Sequence, residues 1–118
     1  MANIDFEQGE NKIDTWTILY VPPFGGKYNG KLTVTNKRLI YEAKYEASIL
    51  GTIEATSAYA PNSLGYSILP KEDILTVETA KNFLSKKVIL SMKNGEKHVF
   101  DYGMLNIDKV AAAINQKS

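Results

Sequence analysis

The sequence predicts a mainly β domain, seven antiparallel strands followed by one α-helix at the carboxy terminus. Three observations predict it. Between Thr15 and Asp101 the chain breaks into short runs rich in β-branched and aromatic residues, separated by Gly, Pro and Asn turn signals. Several runs alternate apolar and polar residues with the period of two that a half-buried strand requires. After Gly103 the period changes: Leu105, Ile107, Val110, Ala111 and Ile114 recur at helical spacing, and Ala111–Ala113 favours helix.

The elements follow in order. Thr15–Val21 sets Trp16, Ile18 and Tyr20 on one face, and Pro22-Pro23 and Gly25-Gly26 end it. Asn29-Gly30 leads into Lys31–Thr35, where Leu32 and Val34 share a face. After Asn36-Lys37 the chain returns through Arg38–Tyr45, with Leu39, Tyr41, Ala43 and Tyr45 aligned. Leu64–Leu69 is an apolar run stopped by Pro70, and Ile74–Thr79 alternates Leu75, Val77 and Thr79. Val88–Met92 and Lys97–Asp101 flank Asn94-Gly95, a pair suited to the positive φ angles of a tight hairpin. Asn106 is placed to cap the helix with its side-chain oxygen. A seven-stranded sheet of this size must curl or fold over to bury its apolar face, and the helix can plug the open end.

At 118 residues, with 44% hydrophobic and 23% charged, the chain suits one globular domain with a core of its own. Residues 1–14 read as a loose acidic leader with Ile4 and Phe6 available to dock; residues 15–117 form the domain. The absence of cysteine excludes disulfides, thiolate metal sites and cysteine nucleophiles. Net charge is +1 but blocky: residues 27–44 and 81–97 each carry +4 against −3 for 1–14 and −4 for 46–80. The basic blocks suit solvated faces and edge lysines that discourage strand-to-strand aggregation, or an anion-facing patch if they meet in space. No apolar run is long enough to span a membrane and the leader lacks a signal-peptide core, so the expected compartment is the cytoplasm, free or membrane-associated.

Signals for catalysis are weak. Gly26-Lys27 lacks the earlier glycine and the following Ser/Thr of a phosphate loop. Pro61-Asn62-Ser63-Leu64-Gly65 has proline where a nucleophile elbow needs glycine. His98, the one histidine, reads as a surface or satisfied core residue, so a Ser63/His98 hydrolase has no motif behind it. Glu72 and Asp73 are adjacent and on a strand would face opposite ways. The aromatic residues are spread through strands rather than interleaved with basic ones, which argues against nucleic acid. No enzymatic activity and no cofactor are expected. The stretch 47–70 holds a single charge, Glu54, and reads either as a packed loop or as an apolar interaction surface.

The run Gly30-Lys-Leu-Thr-Val-Thr-Asn-Lys-Arg-Leu-Ile-Tyr41 resembles the signature of the GRAM and bacterial pleckstrin-homology (PH)-like domains, with Val34 where leucine is usual. Ile68-Leu69-Pro70-Lys71-Glu72-Asp73-Ile74 with Val77 is similar to a second family marker, and Val88–Met92, Asn94-Gly95 and Val99-Phe100 to its final hairpin. The resemblance implies a PH-like barrel: seven antiparallel strands in two near-orthogonal sheets, capped by a carboxy-terminal helix over Gly103–Lys117. It also implies an open end lined by Pro22–Asn29, Glu46–Ser63 and Lys93–Glu96. The expected function is a non-catalytic adaptor that binds a protein partner or forms a homo-oligomer, with Ile49, Leu50, Ile53 and Tyr59 as apolar anchors and Arg38 in a rim salt bridge. The alternative is peripheral membrane or anionic-lipid binding by Phe24, Lys27, Lys31 and Lys93, with Lys27 and Lys93 converging at the open end.

Overall fold

The computed structural model describes residues 6–23, 26–46 and 66–116, with the side chains of 44–46 and 66 excepted. All seven expected strands are present: β1 Lys12–Val21, β2 Tyr28–Thr35, β3 Arg38–Glu46, β4 Tyr66–Pro70, β5 Ile74–Lys81, β6 Lys86–Met92 and β7 Lys97–Asp101. A single 3-10 turn, Lys71–Asp73, joins β4 to β5, and helix α1 spans Asp108–Asn115. Every strand pairing is antiparallel, and the order β4-β3-β2-β1-β7-β6-β5 makes one continuous, open sheet with β4 and β5 at its ends. The coarse expectation, seven antiparallel strands and a carboxy-terminal helix, therefore holds. The hydrogen bonding shows one sheet, with β1 belonging to both halves through β2 and, over Leu19–Val21, through β7.

The sheet curves around α1. The helix packs against both β2 and β5. Those strands lie four places apart, roughly 19 Å in a flat sheet. An eight-residue helix is only about 12 Å long. Ile107, Val110, Ala113 and Ile114 are buried against Ile18, Leu32, Val34, Leu39, Leu69, Val88, Leu90, Met92 and Phe100 in one apolar core. Leu105 does not join them; it lies before the helix and is 59% exposed. Asn106 accepts the Asp108 amide at 2.9 Å, but from one residue before the N-cap, which is Ile107 and has no side-chain cap bond, because the helix begins later than the apolar period suggested.

Three local departures have physical causes. Leu75 is exposed rather than inward because a bulge between Ile74 and Thr76 resets the alternation, leaving Ile74 and Val77 on the core. At Asn94-Gly95 only Gly95 has positive φ, and Met92 donates its amide to Glu96 while Gly95 donates to Met92, so the hairpin closes through a three-residue loop. Gly30 sits beside a register shift where β2 and β3 come so close that a β-carbon would lie 2.2 Å from the Glu42 carbonyl oxygen.

Candidate functional site

The polar groups of the β2–β3 hairpin turn inward on the protein itself. Thr35, fully buried, accepts the amides of Lys37 and Arg38 and donates its hydroxyl to Glu10 Oε2 at 2.6 Å. Arg38 Nε donates to the same oxygen at 2.8 Å. Asn36 accepts the Asn11 amide and donates to the Gly9 carbonyl, and Lys37 Nζ reaches the Gln8 carbonyl at 2.9 Å. Residues 7–11 are thus clamped to the hairpin, which corrects the expectation of a loose leader over the described part; Phe6 is 44% exposed. Arg38 makes a buried clamp rather than a rim salt bridge: the Glu10 side chain is wholly inaccessible. Burial alone would raise the Glu10 carboxyl, but the bonds from Arg38, Thr35 and the Glu7 amide outweigh it and hold it below its ordinary range.

Beside this clamp lies an open cleft of about 720 Å³, lined among others by Glu7, Lys37, Arg38, Lys71, Glu72 and Lys93. It has the cations of an anion site but not their availability. Lys71 is buried and directs Nζ to the carbonyls of Ala113 and Gln116, where a cation neutralises the negative end of α1. Arg38 serves Glu10 and Lys37 serves Gln8. Lys93 is exposed on the cleft rim; Lys27 and Lys31, also exposed, are not among the lining residues. The structure therefore groups Lys93 with Lys37, Arg38 and Lys71 around this cleft.

A second polar cluster is internal. His98 is fully buried, with Nδ1 2.6 Å from the Tyr20 hydroxyl and Nε2 3.1 Å from Glu96. Burial lowers its pKa, an effect that the bond to Glu96 and its charge offset only in part. Burial also drives the Tyr20 and Tyr41 phenols well above their usual range; Tyr41 donates to the Ile18 and Tyr28 carbonyls. Tyr20 stacks on Phe100 at 4.8 Å and Tyr41 is tilted against both, at 4.9 and 5.8 Å, so these groups form part of the core.

The most unusual surface lies at the far end of β5 and β6. Phe83 and Leu84, in the turn between those strands, are 87% and 72% exposed; Met104 and Leu105, between β7 and α1, are 68% and 59% exposed. The two segments are neighbours, because Lys86 donates its amide to Gly103 and accepts that of Tyr102. Neither is a loose loop. Asn82 Oδ1 accepts the amides of Leu84 and Ser85 at 2.9 and 2.8 Å, and Asn82 donates to the Ser85 carbonyl. Gly103, at φ 64°, donates to the Asp101 carboxylate, and Leu105 donates to the Tyr102 carbonyl. Lys81 pairs with Asp108 at 2.7 Å, Lys86 Nζ lies 3.5 Å from the Met104 carbonyl, and Lys87 stands opposite Asp101 across β6 and β7.

Ile49, Leu50, Ile53, Tyr59 and Phe24 lie outside the described residues, as does Ser63. Sequence reasoning passed over the tip. Its signal was two large apolar residues set between Asn82 and Ser85, where a turn offers no core to receive them.

No family model matches the chain, and no curated protein matches it. Among solved structures it is similar to the crystal structure of the C-terminal domain of an unknown protein from Leishmania infantum. The TM-score is 0.62 and the identity 12%, covering 92% of this chain and 85% of that one. That likeness concerns the fold alone.

Proposed function

We propose that the protein is a non-catalytic docking module with a pleckstrin-homology-like fold, acting through the tip built from Phe83, Leu84, Met104 and Leu105. The fold reading is supported by the strand order, by the helix that closes the chain, and by the three motifs falling on β2–β3, β4–β5 and β6–β7. In it, β1–β4 and β5–β7 are two near-orthogonal layers that meet where β1 passes from β2 to β7.

One observation carries the docking reading. Four large apolar side chains, each at least 59% exposed, lie on two hydrogen-bonded turns that the Lys86 backbone bonds join. Monomeric soluble proteins rarely present contiguous apolar patches beyond a few hundred Å² unless something covers them. Meanwhile Arg38, Lys71 and His98, the polar groups that could suggest a site elsewhere, are engaged within the fold.

The test is binding of the dye anilinonaphthalene sulfonate under native conditions. The native protein is expected to enhance its emission, and the double variant Phe83→Ser/Leu84→Ser, with unchanged circular dichroism and melting temperature, is expected to lose most of that enhancement. Equal dye binding by variant and native protein, or none by either, overturns the tip as a contact surface.

A further inference from the structure

Resting on that docking reading, we propose that Met104 is an oxidation site, and that a peroxide, by converting its thioether to the sulfoxide, makes the tip polar and weakens its contacts.

Sulfur content, access and position each point to it. The sequence has three methionines and no cysteine, so no thiol competes for a peroxide. Met104 is 68% exposed, whereas Met92 is 1% exposed within the apolar core; Met1 lies outside the described residues. Of the two described methionines, oxidation therefore falls on the one at the tip. Met104 precedes Leu105 on the turn that the Lys86 backbone bonds join to the turn of Phe83 and Leu84. It supplies one of the four apolar side chains that the docking reading uses, and methionine serves such adaptable surfaces well.

The step balances with hydrogen peroxide alone. A sulfur lone pair attacks one peroxide oxygen, and the sulfur–oxygen bond forms as the oxygen–oxygen bond breaks. The departing oxygen takes up the proton of the transferred one and leaves as water. The thioether is oxidised by two electrons and the peroxide reduced by two. A polar acceptor oxygen then stands where the side chain had only carbon and sulfur. The backbone bonds of the turn do not involve the sulfur. Gly103 donates to the Asp101 carboxylate, Leu105 to the Tyr102 carbonyl and Lys86 to the Gly103 carbonyl. Oxidation thus alters the surface and leaves the turn in place. Lys86 Nζ, 3.5 Å from the Met104 carbonyl, sets a cationic donor beside the residue that gains the acceptor. The change is reversible: thiol-dependent sulfoxide reductases, one for each epimer, remove the oxygen as water while two thiols become a disulfide.

The full chain is tested by graded treatment with hydrogen peroxide. Peptide mass spectrometry reads the oxygen gained at each methionine, and anilinonaphthalene sulfonate emission reads the tip. Met104 is expected to oxidise at least about tenfold faster than Met92, with circular dichroism and melting temperature unchanged while Met104 alone is oxidised. Dye affinity is expected to fall by about threefold or more, and to return after treatment with both reductases. Peroxide-treated Met104→Leu should bind dye as its own untreated sample does, since leucine offers no sulfur. The proposal is overturned if Met92 oxidises as fast as Met104, if dye affinity survives complete oxidation of Met104, or if peroxide weakens dye binding by Met104→Leu as it does by the native chain. Untreated native protein that binds no dye removes the docking reading and this inference with it. Equal dye binding by the native and sulfoxide forms leaves the docking module standing and removes the oxidation switch alone.

Discussion

Replacing Glu10 with alanine should be among the most damaging single changes available in this chain. The substitution removes the acceptor of the Arg38 guanidinium and of the Thr35 hydroxyl, bonds of 2.8 and 2.6 Å, and the Oε1 acceptor of the Glu7 amide at 2.8 Å. Breaking one side of a buried ion pair costs about 3–5 kcal/mol. The Arg38 side chain keeps 13% exposure, so water can reach it and the lower end applies, about 3 kcal/mol. Against a total of about 5–15 kcal/mol this is a large fraction, and it lowers the melting temperature by roughly 10–15 °C. Glu10→Gln keeps an acceptor of the same shape and should lose about half as much. Urea unfolding supplies the free energies, and hydrogen exchange at the Asn11 and Asn36 amides reports whether residues 7–11 have come away from the hairpin. An alanine variant within about 0.5 kcal/mol of the native protein would refute the clamp, because surface substitutions fall within that range.

Gly30→Ala would place a β-carbon 2.2 Å from the Glu42 oxygen and 2.8 Å from Ala43 Cα, both backbone atoms, so β2 and β3 must part; urea unfolding should show a loss of about 2–3 kcal/mol. His98 gives a pH dependence whose sign follows from its burial. Its folded pKa lies below the ordinary 6.5, so as pH falls through 6.5 the unfolded chain takes up a proton that the native protein refuses. The histidine contribution is complete above pH 6.5 and is lost progressively between that value and the lower folded pKa. Since the chain has a single histidine, its imidazole titration by NMR is unambiguous, and a midpoint at or above 6.5 would contradict the buried neutral ring.

Most of the fold was legible because β-branched alternation and turn residues are local signals. Leu32 and Val34, Ile18 and Tyr20, and Val88, Leu90 and Met92 are buried at the alternating positions their strands require. The inward face of β5 was misread because a bulge adds a residue that no pattern of two anticipates. The leader was misread for another reason. Glu10 meets Arg38 across 28 residues, and an acidic, polar segment looks solvated until the buried cation opposite it is known. The site was least legible. Phe83 and Leu84 were visible as residues, but their exposure depends on Asn82 fixing the turn and on Gly103 bringing Met104 and Leu105 alongside.

The narrow join between β1 and β7 has a kinetic consequence. Within each half of the sheet the paired strands follow one another in sequence, so their ladders close over shorter separations than the join does. The join pairs three residues, Leu19–Val21 with Val99–Asp101, across some eighty intervening positions, and it bears the largest loop-closure entropy of any ladder here. The two meanders can therefore organise before they meet. The seam then forms late, and it is this step that brings Tyr20 together with Phe100 and His98.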